Sequence, residues 1–242
     1  MCFIRRTVRS VQRRLGVDFV DVVPDNNYNG MCDADSSSGS ETVGIDETRI
    51  QIRWENRYRQ DNGSRCLVSV DGTDFRINEP SPFSSKWFSP KFNKAALRYE
   101  VGICIQTGDI VWINGPYPPG EWNDLQIALD GIVYLLEGDE RLITDKGYRG
   151  YPVYFDCQWR YLDNQHQKTR KALARARHEN VNKLFKDWDC LSERWRCDLA
   201  LHGVAFRAVA NIVQFKIEQS GHEGVVWQLE CNDRINNEPI HI

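Results

Sequence analysis

The 242-residue chain has eight cysteines but no CxxC pair, and no strong excess of charge of either sign. No apolar run approaches the roughly 20 residues that a membrane helix needs, so a helical membrane span is excluded. Cys2, Cys32, Cys66, Cys104, Cys157, Cys190, Cys197 and Cys231 are scattered, and a zinc ribbon or finger needs paired ligands at short spacing. A secreted disulfide framework calls for a signal peptide. The start, Met1-Cys2-Phe3-Ile4-Arg5-Arg6, leads into no continuous apolar stretch, so reduced, intracellular thiols are expected. With 31 basic and 34 acidic side chains the net charge is −3. That excludes a uniformly basic nucleic-acid coat and leaves room for a local basic patch. P-loop, Gly-rich dinucleotide and Ser-nucleophile motifs are also missing.

What is present is a hydrophobic fraction of 41%, enough to build a core. Residues 1–24 open with Arg5, Arg6, Arg9, Arg13 and Arg14 among apolar residues at helical spacing, an Arg-rich amphipathic segment. Residues 25–64 read as a polar linker and the entry to the core, rich in Asp, Asn, Ser and Gly. The core runs over 65–218, and 219–242 form a C-terminal extension.

Inside the core, Cys66 to Val70 predicts a buried strand that turns at Asp71-Gly72-Thr73. Leu97, Tyr99, Val101, Ile103 and Ile105 alternate with polar or small residues, the period of a strand with one buried face. The turn Gln106-Thr107-Gly108-Asp109 should join it to Ile110–Ile113 as a hairpin. Helices are expected over Trp122–Leu136 and Gln165–Trp188, with a short strand at Arg141–Thr144 between them. The order is that of a mixed α/β domain rather than a regular βαβ repeat.

Two acids, Asp71 and Asp145, each follow an apolar strand beside a Gly turn, where α/β sheets bind ligands. A third, Glu179, lies in the long helix, with Arg175, Lys183 and Lys186 sharing its face. Three carboxylates brought together repel unless cations sit between them. Two Mg²⁺ or Mn²⁺ ions roughly 3.5–4 Å apart would satisfy them and activate water for phosphodiester cleavage. Two turn aspartates and a solvated glutamate explain the same residues without chemistry. Arg170, Lys171, Arg175, Arg177, Lys183 and Lys186 either hold a phosphate backbone or form a solvated charged face.

Four strings stand in order: Val70-Asp71-Gly72-Thr73-Asp74-Phe75, Gly115-Pro116-Tyr117-Pro118-Pro119-Gly120 with Asn123-Asp124, Thr144-Asp145-Lys146-Gly147-Tyr148, and Ala176-Arg177-His178-Glu179-Asn180-Val181-Asn182. Leu201-His202-Gly203 through Asn211 follows. Together, over about residues 65–218, they resemble the DDE-superfamily endonucleases, the Harbinger-like transposases. The resemblance implies an α/β, RNase H-like mixed sheet flanked by helices. It also implies a metal-dependent nuclease cleaving DNA, and a nuclear location.

It further implies that Asp71, Asp145 and Glu179 form the catalytic and metal-binding triad, Asp71 and Asp145 holding both cations and Glu179 completing one site. Asp124 is then a helix-start residue supporting the site, not a ligand. Asp74 stands where many relatives have histidine, and is expected either to compete for metal or to sit in solvent. Relatives carry a helical DNA-binding region ahead of the catalytic domain, whereas about 50 residues precede it here. A separate DNA-binding partner protein is therefore expected. The alternative is a truncated or domesticated relic serving as a non-catalytic DNA- or protein-binding module. Homo-oligomerisation is open.

His178 either assists proton transfer or is a solvated helix residue, and His202 and His222 have no ligand-spaced partners. Most of the eight tryptophans should pack in the core, while Trp87, beside Lys86 and Lys91, is a candidate to stack on a base. Cys190 and Cys197 should pack as small apolar groups.

Overall fold

The chain divides into two units, Met1–Arg49 and Ile50–Ile242. The computed structural model describes residues 52–58, 65–157 and 165–219. The expected Arg-rich segment, most of the linker, the extension after Gln219 and the Arg170 side chain lie outside the described residues.

The sheet is built on β1 (Val68–Arg76), which runs antiparallel to β3 (Lys94–Cys104), from Val68 opposite Cys104 to Arg76 opposite Ala96. On its other edge β1 runs parallel to β5 (Leu142–Thr144), and β5 parallel to β6 (Phe155–Cys157). β4 (Ile110–Tyr117) returns antiparallel along β3, and the two-residue β2 (Phe88–Ser89) pairs with its start. The result is a six-stranded mixed sheet, antiparallel on one side of β1 and parallel on the other.

Two expectations about these strands need correction. β1 does not turn at Asp71-Gly72-Thr73 but runs straight through it to Arg76. Glycine inside a strand marks a close approach by something else, and at Gly72 that is the Asp124 carboxylate. Nor has β3 one buried face: every residue from Ala95 to Cys104 is buried. β3 is paired along both edges and covered on both faces, and its polar residues Arg98 and Glu100 hydrogen-bond inside the protein. The β3–β4 hairpin forms as expected. Gly108 supplies the positive φ of 78° and the Thr107 hydroxyl donates to Asp109 Oδ2 at 2.7 Å.

Helix α1 (Asp124–Asp130) starts with a capping box, in which Asn123 and Gln126 each accept from the other's backbone N–H. It is shorter than Trp122–Leu136. Gly131 ends it, and a separate 3₁₀ turn, Ile132–Leu135, continues the apolar stripe. Helix α2 (Gln165–Lys186) buries Ala174, Arg177, His178, Val181 and Phe185, spacings of three and four that mark one face. A short α3 (Asp189–Ser192) leads to α4 (Ala200–Gln219), which buries His202, Phe206, Val209, Val213 and Ile217.

An aromatic cluster joins α4 to the sheet. Tyr99 stacks on Phe206 with centroids 3.9 Å apart, and its hydroxyl meets His202 Nδ1 at 2.7 Å. Gln214 accepts from the Ile110 N–H at 2.7 Å and donates to Asp109 at 2.8 Å, so α4 is fastened to the hairpin as well. Trp195 is buried and Trp54 and Trp112 pack against the core, as expected of most tryptophans. The described cysteines form no disulfide with one another; Cys190 is half-buried, but Cys197 is exposed, against expectation, in the irregular segment between α3 and α4. No helix among the described residues is long and apolar enough to cross a membrane.

Candidate active site

Parallel pairing sets Val68 level with Leu142 and Ser69 with Ile143. Continuing that register by two residues brings Asp71 level with Asp145. Asp145 lies one residue past the end of β5, and its charge acts on Asp71. Each is held by backbone: Gly72 N–H donates to Asp71 Oδ1 at 2.8 Å, and Gly147 N–H to Asp145 Oδ1 at 2.7 Å. Asp145 also caps the 3₁₀ turn Lys146–Tyr148, which explains Gly147: the peptide after Lys146 must close on the carboxylate.

Partial burial raises the pKa of Asp71 above the usual carboxylate range; the Asp145 charge adds to the rise, while Lys91 opposes it. Lys91 belongs to the β2–β3 connection and donates to the Gly72 carbonyl at 2.7 Å. A third acid, Asp124, stands at the start of α1 as expected. Its carboxylate fills the space where a Gly72 Cβ would lie, 2.0 Å from Oδ1. Burial raises its pKa too, against Lys91 and Arg98, with Asp71 and Asp74 pushing further up.

Beneath these lies a buried polar layer that the sequence did not disclose. Glu100, opposite Gly72 in the β1–β3 register, is 1% exposed, and Trp112 Nε1 donates to its Oε2 at 2.8 Å. Burial lifts its pKa to about 8, the Trp112 bond opposes this, and Asp124 adds to it. The fully buried Tyr148 hydroxyl and Glu100 Oε1 make no hydrogen bond among the described residues. Tyr148 is pushed well above its usual value, first by burial and then by Glu100, Asp124, Asp71 and Asp145. One ring thus adjoins four acids. The acid between apolar residues in β3 was the available signal for Glu100; Lys91 was noted only as a neighbour of Trp87, and nothing tied it to Asp71.

Asp74 neither competes for metal nor sits in solvent, a correction with a clear cause. It is buried in a two-pronged pair with Arg98 (Nε to Oδ1 2.7 Å, Nη2 to Oδ2 2.9 Å) and accepts from Ser89 Oγ at 2.6 Å. Arg98 also reaches the Trp122 carbonyl at 3.2 Å and lies 3.4 Å from Asp124 Oδ1, tying α1 to the sheet.

Glu179 is exposed on α2 and pairs with Arg175, one turn back, at 3.5 Å. The Arg175 charge also acts weakly on Asp71. Among the described residues no three His, Cys, Asp or Glu side chains are gathered as a metal-binding group. Of the basic residues expected to face phosphate, Arg175, Lys183 and Lys186 are exposed. Lys171 and Arg177 are not: both are buried against the sheet, Lys171 bonded to Asp156 at 2.7 Å. They fall on the apolar stripe of α2 rather than its outer face. His178 is likewise buried instead of solvated, and burial lowers its pKa to about 4.

The chain thus presents a mixed sheet with an acid in β1, another just past β5, and a helix with exposed basic residues. The profile of the DDE superfamily endonuclease family matches residues 70–216, more than half the chain, and the chain belongs to that family. The family uses divalent metal ions in general and acts on DNA. No match was found among curated proteins or solved structures.

Proposed function

We propose that this chain is a Harbinger-like transposase catalytic domain of RNase H-like fold, cutting DNA phosphodiesters at Asp71 and Asp145 with Glu179 as the third acid. The parallel pairing of β1 with β5, together with the influence of the Asp145 charge on Asp71, is the observation that supports the reading. The donors suit Mg²⁺ or Mn²⁺. They are hard carboxylate oxygens, and such ions are commonly held by one or two carboxylates plus water and substrate phosphate. Burial raises the pKa of Asp71, and the neighbouring Asp145 charge adds to the rise, a charge balance that a bound cation would relieve.

When bound, the divalent cation supplies an activated water and shields the charge that grows on the phosphate. The chain's own part is positional. Gly72 and Gly147 N–H groups orient one oxygen of each carboxylate and leave the others to face the ligand. Glu179 joins by exchanging its exposed Arg175 partner, a pair worth about 0–1 kcal/mol, for the site. Arg175, released in that exchange, and the exposed Lys183 and Lys186 then contact the DNA backbone. A nuclear location and a separate DNA-binding partner belong to the same reading.

One observation favours the second reading, a non-catalytic relic: Glu179 stands apart from the strand acids. Incubating the chain with supercoiled plasmid and Mg²⁺ or Mn²⁺, beside Asp145→Asn, separates the two. Nicking by the wild type alone supports the nuclease. Nicking by neither, together with no Mn²⁺ binding by calorimetry, supports the relic.

A further inference from the structure

Between β1 and β3 the segment 78–94 carries three lysines against one acid, Glu79. It exposes aromatic rings that nothing in the core requires. Phe83 is 68% and Phe88 40% exposed, and Lys86 Nζ lies 5.0 Å from the centre of the half-buried Trp87 ring.

The segment is nevertheless bound firmly to the fold. Asn78 N–H donates to the Trp195 carbonyl at 2.9 Å, and Gly120 N–H to the Lys86 carbonyl at 2.8 Å. Gly120 is required there, because a Cβ would lie 2.2 Å from the Ser85 carbonyl oxygen. Ser89 bonds Asp74, and Lys91 bonds the Gly72 carbonyl, one residue beyond Asp71. A rigid frame thus holds aromatic rings in water, flanked by ammonium groups, beside the acid pair.

Resting on the reading of that pair as a DNA-cleaving site, we propose that segment 78–94 is a platform on which unpaired DNA bases stack next to the scissile phosphodiester. Duplex bases are covered by their neighbours, so exposed rings can gain contact only with bases taken out of the helix. Such stacking is worth roughly 1–3 kcal/mol per base and tolerates any sequence. Lys86, Lys91 and Lys94 supply the charge that a phosphate backbone demands and an apolar protein partner does not.

The test measures fluorescence anisotropy of the full chain in EDTA with a labelled single-stranded oligonucleotide and with its duplex. Phe83→Ala/Phe88→Ala should weaken single-strand binding about tenfold and duplex binding less than about twofold, with Phe83→Tyr/Phe88→Tyr retaining the wild-type preference. Unchanged single-strand affinity in the alanine variant, or equal losses on both DNAs, would overturn the platform. So would a wild-type dimer in sedimentation that the alanine variant converts to monomer with DNA affinity intact, since a second copy then covers the rings. Plasmid nicking by the same wild-type preparation is scored separately. Single-strand preference with neither nicking nor Mn²⁺ binding removes the catalytic reading and leaves the segment as a single-strand binding surface alone, whereas nicking without that preference removes the platform and keeps the catalytic reading.

Discussion

Asp71 and Asp74 lie three residues apart on one strand, yet their surroundings are opposite. Asp74 is buried, with both oxygens held by the Arg98 fork and by Ser89. Asp71 has one backbone donor, a lysine that bonds elsewhere, and the negative charge of Asp145 for company. An odd spacing on a period-2 strand sends the two side chains to opposite faces, so one meets β3's arginine and the other does not. Residue type and even motif membership do not tell a fully paired acid from an incompletely paired one; the tertiary surroundings do.

The largest effect should come from breaking the satisfied side of this contrast. Arg98→Ala leaves Asp74 buried without its partner, and unfolding in urea should register a loss of about 3–5 kcal/mol. An unchanged midpoint would erase the distinction between the two aspartates. Next, Gly72→Ala forces a Cβ into the Asp124 carboxylate. It should cost about 1–3 kcal/mol, and Asp124→Ala in the same chain should recover part of that loss. Additive losses in the double-mutant cycle would show that the two residues do not touch.

The pH dependence is a finer probe. Glu100 has a folded pKa of about 8, raised from an ordinary 4.5. A raised carboxyl pKa means the folded state binds the proton more tightly, so the stability it contributes is full below pH 4.5 and lost as pH rises through 8. Glu100→Gln should flatten that slope in thermal melts between pH 5 and about 9; a slope that persists places the titration elsewhere. The smallest effect is expected on the outer face of α2. Lys183→Gln should reduce the slope of log affinity against log salt for duplex DNA by about 1, uniformly across sequences.

Much of the fold was legible because hydrophobic period reports local geometry. The β3–β4 hairpin, the short strand before Asp145 and α2 all follow from spacing and turn residues. What failed did so for tertiary reasons. The glycine of Asp71-Gly72-Thr73 suggested a turn, but its lack of a Cβ serves the Asp124 carboxylate across the strand. Lys171, Arg177 and His178 were read as outward because they are polar, whereas the register of α2 on the sheet turns them inward.

By itself the sequence determined the kinds and order of most elements and the membership of the DDE superfamily endonuclease family, since these are written along the chain. Only tertiary structure decided which acids face each other. The parallel pairing of β1 with β5 brings together the segments that carry Asp71 and Asp145 across 74 residues of chain, and the β1–β3 register sets Glu100 opposite Gly72. Pairing, burial and charge neighbourhood arise from contacts between distant segments, and those contacts assign each carboxylate its state.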